Sequence, residues 1–193
     1  MNRRHLIRSA AGVGLAITGL AKPPSGLAAL AATADDLAYA NFGLATEFLL
    51  LNFHAKTAAA NVIRGSAARE FARGTLNASQ HADALSMLLA GAGQTAAVAE
   101  DFEFVWPNRS FANQNSVSAT GLIVARPLLG VYMSAAAASS IPSYRTLFAS
   151  MATNVAQQVS ALSLLSGGRA VGISFPPAID VETASDAIEA YLG

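Results

Sequence analysis

Apolar residues recur along this chain with a helical period rather than an alternating one. Residues 35–60 read DDLAYANFGLATEFLLLNFHAKTAAA, with no Pro and one Gly, at position 43. Leu37, Ala40, Leu44, Phe48, Leu51 and Ala55 make one stripe, and Phe42, Leu49 and Phe53 lie elsewhere on the wheel. A helix that is apolar nearly all round belongs inside a larger core. A second helix is predicted over 66–90. Arg69, Glu70 and Arg73 mark its exposed early turns, Leu76, Ala84, Leu85, Leu88 and Leu89 its apolar later part, and Gly91 and Gly93 its stop. The short link at 61–65 makes the pair an antiparallel hairpin.

From 94 to about 125 the period loosens. Residues 100–105 alternate as a short extended piece would, and Pro107, Asn108, Asn113 and Asn115 mark irregular chain. A third helix is expected over 127–139 with Pro127 in its first turn, or starting nearer Thr120 with a kink at Pro127. A fourth follows over 143–165, with Leu147, Met151, Val155, Gln158, Leu162 and Leu165 on one stripe and Gly167-Gly168 ending it. An extended tail at 171–177 leads to a short helix over 181–192, capped by Asp180. The plan is hairpin, long crossover, hairpin, tail. It predicts one all-α domain over 35–193, a four-helix bundle with one long crossover, the topology of ferritin-like proteins.

Residues 1–34 stand apart. Arg3, Arg4 and Arg8 form a basic start, an uncharged apolar run covers 9–20, and Lys22-Pro23-Pro24 breaks it. Small-residue cleavage sites follow at Ala29-Leu30-Ala31 and Ala32-Thr33-Ala34. This is the layout of a signal peptide. Arg3-Arg4 followed by His5, Leu6, Ile7 and Arg8 resembles a twin-arginine signal, with Asn2 where Ser or Thr is usual. The expected address is export, to the periplasm or the exterior.

Without that segment the chain carries eight Lys and Arg against twelve Asp and Glu, a net charge of −4. A chain with no basic patch is a poor nucleic-acid partner, and no membrane partner is expected once the signal is removed. There is no Cys, which rules out disulfides, thiolate metal sites and a Cys nucleophile. No Gly-x-Ser-x-Gly elbow and no Gly-rich phosphate loop occurs, so no catalytic residue is assigned. The sequons at Asn77 and Asn108 are short enough to arise by chance.

The chemistry that stands out is Glu47, a carboxylate inside an apolar run. Burying it costs several kcal/mol unless it is paired. His54, about two turns along the same face, and His81, in the second helix, are the available imidazoles. Glu47 is expected to be a metal ligand or to bond Gln158, Gln157, Tyr132 or His81 within the core. His54, beside Asn52 and Lys56, is expected near the surface.

Several stretches resemble the ferritin-like family that includes plant desiccation-related proteins and many exported bacterial proteins. They are Asn41-Phe42 and Glu47-Phe48-Leu49 in the first helix and His81-Ala82-Asp83-Ala84-Leu85 in the second. Gly130-Val131-Tyr132, Gln158-Val159-Ser160-Ala161-Leu162 and Phe175-Pro176-Pro177 continue the series. The resemblance implies a di-metal site with a Glu in each of two helices and a Glu-x-x-His pair in each of the others. Carried across residue by residue, Glu47 and His81 remain. Ala78 stands for the second-helix Glu, no acid lies at 127–129, and Val155 and Gln158 replace the last pair. No Asp, Glu or His lies between Phe104 and Ile179, whereas iron and manganese want carboxylates and imidazoles.

The expectation is therefore an exported ferritin-like protein with a degenerate site, no resident cofactor, and a structural, binding or stress-related role. One rival is a metal-binding protein or oxidoreductase with a reduced iron or manganese site on Glu47 and His81, helped by His54 or Asp83 or by a second subunit. Another is a small-molecule binder with a chamber between Glu47, His81 and Gln158. Alanine runs at 58–60 and 135–138 suit either tight core packing or self-association into a homo-oligomer.

Overall fold

A computed structural model describes residues 31–173 and 176–193. The segment expected to be a signal peptide, apart from residues 31–34, and Phe175 lie outside them. Among the described residues every regular element is helical: α1 (Ala34–Ala60), α2 (Gly65–Gly91), α3 (Gln114–Ala138), α4 (Pro142–Leu165) and α5 (Val181–Ile188). Short 3₁₀ turns lie at Ala99–Asp101 and Glu189–Tyr191.

Thr33 starts α1 with a capping box: its side chain accepts from the Asp36 amide, and Asp36 accepts from the Thr33 amide. Two orphan amides of the first turn are thereby satisfied. The same carboxylate takes a bond from the Ser140 amide, just beyond α3. At the other end Asn61, in the left-handed region at φ 52°, closes α1.

The third helix differs from the expectation. It begins at Gln114, well before Pro127, which lies in its interior. Asn113 and Ser116, which look like loop residues, form a capping box. Short polar side chains that favour turns also favour helix starts, because both uses satisfy free amides. Pro127 removes one ladder bond, and the helix continues through it under tertiary packing. The alternating stretch forms the 3₁₀ turn and a single bridge between Phe104 and Leu192 rather than a strand.

The packing directions follow from contacts along the helices. Glu47 meets His81 and His54 meets Gly74, so α1 and α2 are antiparallel. Asp36 meets Ser140 while Phe53 meets Gly121, so α1 and α3 are antiparallel as well. Gln114 bonds the Leu165 carbonyl, which fixes α3 against α4. His81 meets Asn154 and Gly74 approaches Gln158, which fixes α2 against α4. The connection from 92 to 113 therefore runs the length of the bundle. It lies along α1, with Phe102 on Phe48, Trp106 donating to Asn52 Oδ1 at 2.8 Å, and Phe111 on Phe53. α5 packs on α3. By length and composition α3 could cross a membrane; here its apolar residues pack against α1, α4 and α5, as in a core helix.

Candidate functional site

Glu47 sits midway along α1 and is 1 % exposed. Its neighbours come from the other long helices. Glu47 Oε1 accepts from Tyr132 OH of α3 at 2.8 Å and lies 2.8 Å from His81 Nδ1 of α2. His81 Nε2 lies 3.2 Å from Asn154 Nδ2 of α4. An amide nitrogen only donates, so His81 Nε2 accepts and the ring proton on Nδ1 faces the carboxylate. Each helix thus supplies one member of a Tyr–Glu–His–Asn chain.

Gly43 is what lets Tyr132 reach Glu47. A Cβ there would stand 2.9 Å from Tyr132 Cε1 and 3.1 Å from its hydroxyl oxygen. Burial pushes the Glu47 carboxyl above its ordinary range, against the pull of the bonds from His81 and Tyr132. Burial and the adjacent carboxyl push the Tyr132 phenol well above its own. Glu47 Oε2 has no hydrogen-bond partner.

His54 lies two turns further along α1 and is buried at 4 % exposure, not near the surface as its neighbours suggest. Asn52 is drawn onto Trp106 and Lys56 points to solvent, but the ring between them turns inward against Phe53 and Phe71. Gly74 of α2 makes room for it: a Cβ there would stand 2.9 Å from His54 Cε1. His54 Nε2 lies 2.8 Å from Gln158 Nε2. Burial alone lowers its pKa to about 4. Gln158 thus serves His54 rather than Glu47.

The positions at which the resemblance would put further ligands carry Ala78, Pro127, Leu128, Leu129, Val155 and Gln158; Ala78, Leu128, Leu129 and Val155 are buried, Pro127 and Gln158 half-buried. Asp83 is exposed. Among the described residues no three of His, Asp and Glu converge on one point. His81 has both ring nitrogens engaged within the protein. A two-metal centre does not fit this donor set. A central ligand chamber does not fit either: the gap between Glu47, His81, Asn154 and Gln158 measures about 10 Å³, room for one water at most.

Asn154 is the member that sequence reasoning missed. It lies one turn before Gln158 on α4, and that i, i+4 spacing was the available signal. The chain matches no protein-family model and no curated protein.

Proposed function

We propose that this is an exported, ferritin-like four-helix protein whose di-metal centre has been replaced by a hydrogen-bonded core, and that its role is structural, binding or stress-protective rather than catalytic. The observation that carries the reading is the environment of Glu47. The carboxylate that would bridge metals accepts instead from His81 and Tyr132. Asn154 and Gln158 on α4 offer amide nitrogens to the two histidines rather than carboxylates to a cation. The end-to-end connection between α2 and α3, which leaves every neighbouring pair of long helices antiparallel, supports the ferritin-like part of the reading. The basic, apolar and small-residue order of the first 34 residues supports export by the twin-arginine route.

A second reading keeps one weak iron or manganese site on Glu47 and His81. It is favoured by Glu47 Oε2, a buried carboxylate oxygen with no partner. To take His81 as a second ligand, a cation there would have to displace the ring proton on Nδ1 or the Asn154 amide at Nε2.

Metal content separates the two. The purified protein is soaked anaerobically with Fe(II), Mn(II) or Zn(II), desalted, and its metal counted by mass spectrometry. The degenerate-site reading expects close to none per chain and no oxidation of added Fe(II). Stoichiometric metal that is lost in Glu47→Ala and His81→Ala would overturn it in favour of the second.

A further inference from the structure

The charges of residues 31–193 are unevenly placed along the bundle. His54 of α1 lies against Gly74 of α2 and Gln158 of α4, and Phe53 lies against Gly121 of α3. From that layer α1 and α4 run on to their last residues, and α2 and α3 run back to their first, roughly 9–14 Å at 1.5 Å per residue. The four helices therefore finish together at one end. Lys56, Arg64, Arg69 and Arg73 lie on this side of the layer. Arg109 shares a surface recess with Lys56, and Arg169 follows the end of α4. Glu70 is the one acid here, since the acids that follow α4 stop at the level of Trp106, where Tyr191 packs. The end carries six cations and one acid, net +5, and the rest of residues 31–193 carries two cations and eleven acids, net −9.

Five of the six cations are exposed and in no ion pair among the described residues; the sixth, Arg73, takes Glu70. Leu164, Val171 and Ile173 flank Arg169 in the chain, and each is more than half exposed. The net charge of −4 conceals this end, because its cations come from stretches far apart in the sequence. All but Lys56 are Arg, whose planar fork matches pairs of phosphate oxygens. Unpaired cations beside exposed apolar side chains suit the surface of an anionic bilayer. There the cations meet headgroup phosphates and the apolar groups enter the boundary of the acyl region.

We infer that this end of the bundle docks on an anionic phospholipid surface, with Lys56, Arg64, Arg69, Arg109 and Arg169 on the headgroups and Leu164 at the acyl boundary. A soluble polyanion would neutralise the cations but leave the apolar side chains in water. The acidic remainder of the molecule is repelled by such a surface and turns the basic end towards it. The dock is independent of whatever Glu47 holds.

The chain has no Cys, so one introduced cysteine carries one dye. A polarity-sensitive fluorophore is placed on Leu164→Cys at the basic end, or on Met87→Cys, an exposed position near the other end of α2. The labelled full chain is mixed with vesicles of phosphatidylcholine alone or with added phosphatidylglycerol. The dye at 164 is expected to shift to the blue and saturate with the anionic vesicles only, and the dye at 87 to stay unchanged. Salt at about 1 M, where the screening length is about 3 Å, is expected to abolish the shift. Arg64→Gln, Arg69→Gln and Arg169→Gln together are expected to raise the half-saturating lipid concentration at least about tenfold in a chain that still melts cooperatively. Arg126→Gln, at an exposed position of α3 away from this end, is expected to leave it nearly unchanged. The inference is overturned if the dye at 164 does not shift, if the dye at 87 shifts equally, or if the triple variant binds like the unaltered chain. It is also overturned, in favour of a soluble polyanion or a second copy of the chain, if polyphosphate alone or protein concentration alone shifts the dye at 164 as far.

Discussion

Two buried layers along α1 treat their histidines in opposite ways. In the middle layer Tyr132, Glu47, His81 and Asn154 form one hydrogen-bonded chain, one side chain from each long helix. In the next layer His54 has one amide partner and is otherwise walled by Phe53 and Phe71, with Trp106 and Phe111 behind Phe53. The middle layer is held by hydrogen bonds to a carboxylate. The second is held by aromatic packing and holds a neutral ring. The same residue type is placed by its partner in one case and by its surroundings in the other, and burial depresses the protonation of His54.

Removing the packing should do the most damage. Phe53→Ala, at a side chain with no exposure and several ring neighbours, is expected to cost about 4 kcal/mol in denaturant unfolding. If it costs no more than a surface substitution, the second layer is not held by its rings. His81→Ala, which strips the carboxylate of one partner, is expected to cost about 2–3 kcal/mol. The penalty stays below that of a fixed buried charge because Glu47, already pushed towards its neutral form by burial, takes up a proton.

The pH dependence of the two layers should have opposite sign. His54 has a folded pKa of about 4 against about 6.5 in the unfolded chain. Its unfolded form binds protons first, so stability is lost as pH falls from 6.5 towards 4, by about 2 kcal/mol at pH 5. Glu47 has a raised folded pKa, so the folded chain binds its proton first and this group adds stability as pH falls. Unfolding curves of the unaltered chain and His54→Leu, compared from pH 7 to pH 5, isolate the first effect. A difference between them that does not change with pH would contradict a buried, neutral His54.

Smaller effects sharpen the contrast. Tyr132→Phe removes one donor to Glu47 and is expected to cost about 1–2 kcal/mol. Thr33→Ala breaks the capping box far from both layers and is expected to cost about 1 kcal/mol. A loss for Thr33→Ala larger than that for Tyr132→Phe would mean that the central network contributes little beyond its packing.

Much of the fold was readable from residue periodicity because the long helices are continuous and carry apolar stripes. α1, α2 and α4 lie within a residue of their predicted ends. α3 was legible from about Thr120 onward, with Pro127 read either as its first turn or as a kink inside it. Asn113 and Ser116 look alike as loop residues and as a cap, and Pro127 looks like a start when packing makes it an interior residue. At the site, the tie from Glu47 to Tyr132 and His81 could be anticipated, because a buried carboxylate must find partners and few were on offer. The burial of His54 could not. It depends on Gly74 in another helix making space for the ring, and nothing in the local sequence Asn52-Phe53-His54-Ala55-Lys56 carries that information. Asn154 was missed for a related reason, since its role depends on which face of α4 meets His81.

The most direct test is the state of the His81 ring, read by nitrogen-15 NMR of labelled histidines at neutral pH, before and after excess Zn(II). The hydrogen-bonded core predicts a proton on Nδ1, a bare Nε2 accepting from Asn154, and no change in either nitrogen when zinc is added. Loss of the Nδ1 proton or a zinc-dependent shift at His81 would contradict it and return Glu47 and His81 to the role of metal ligands.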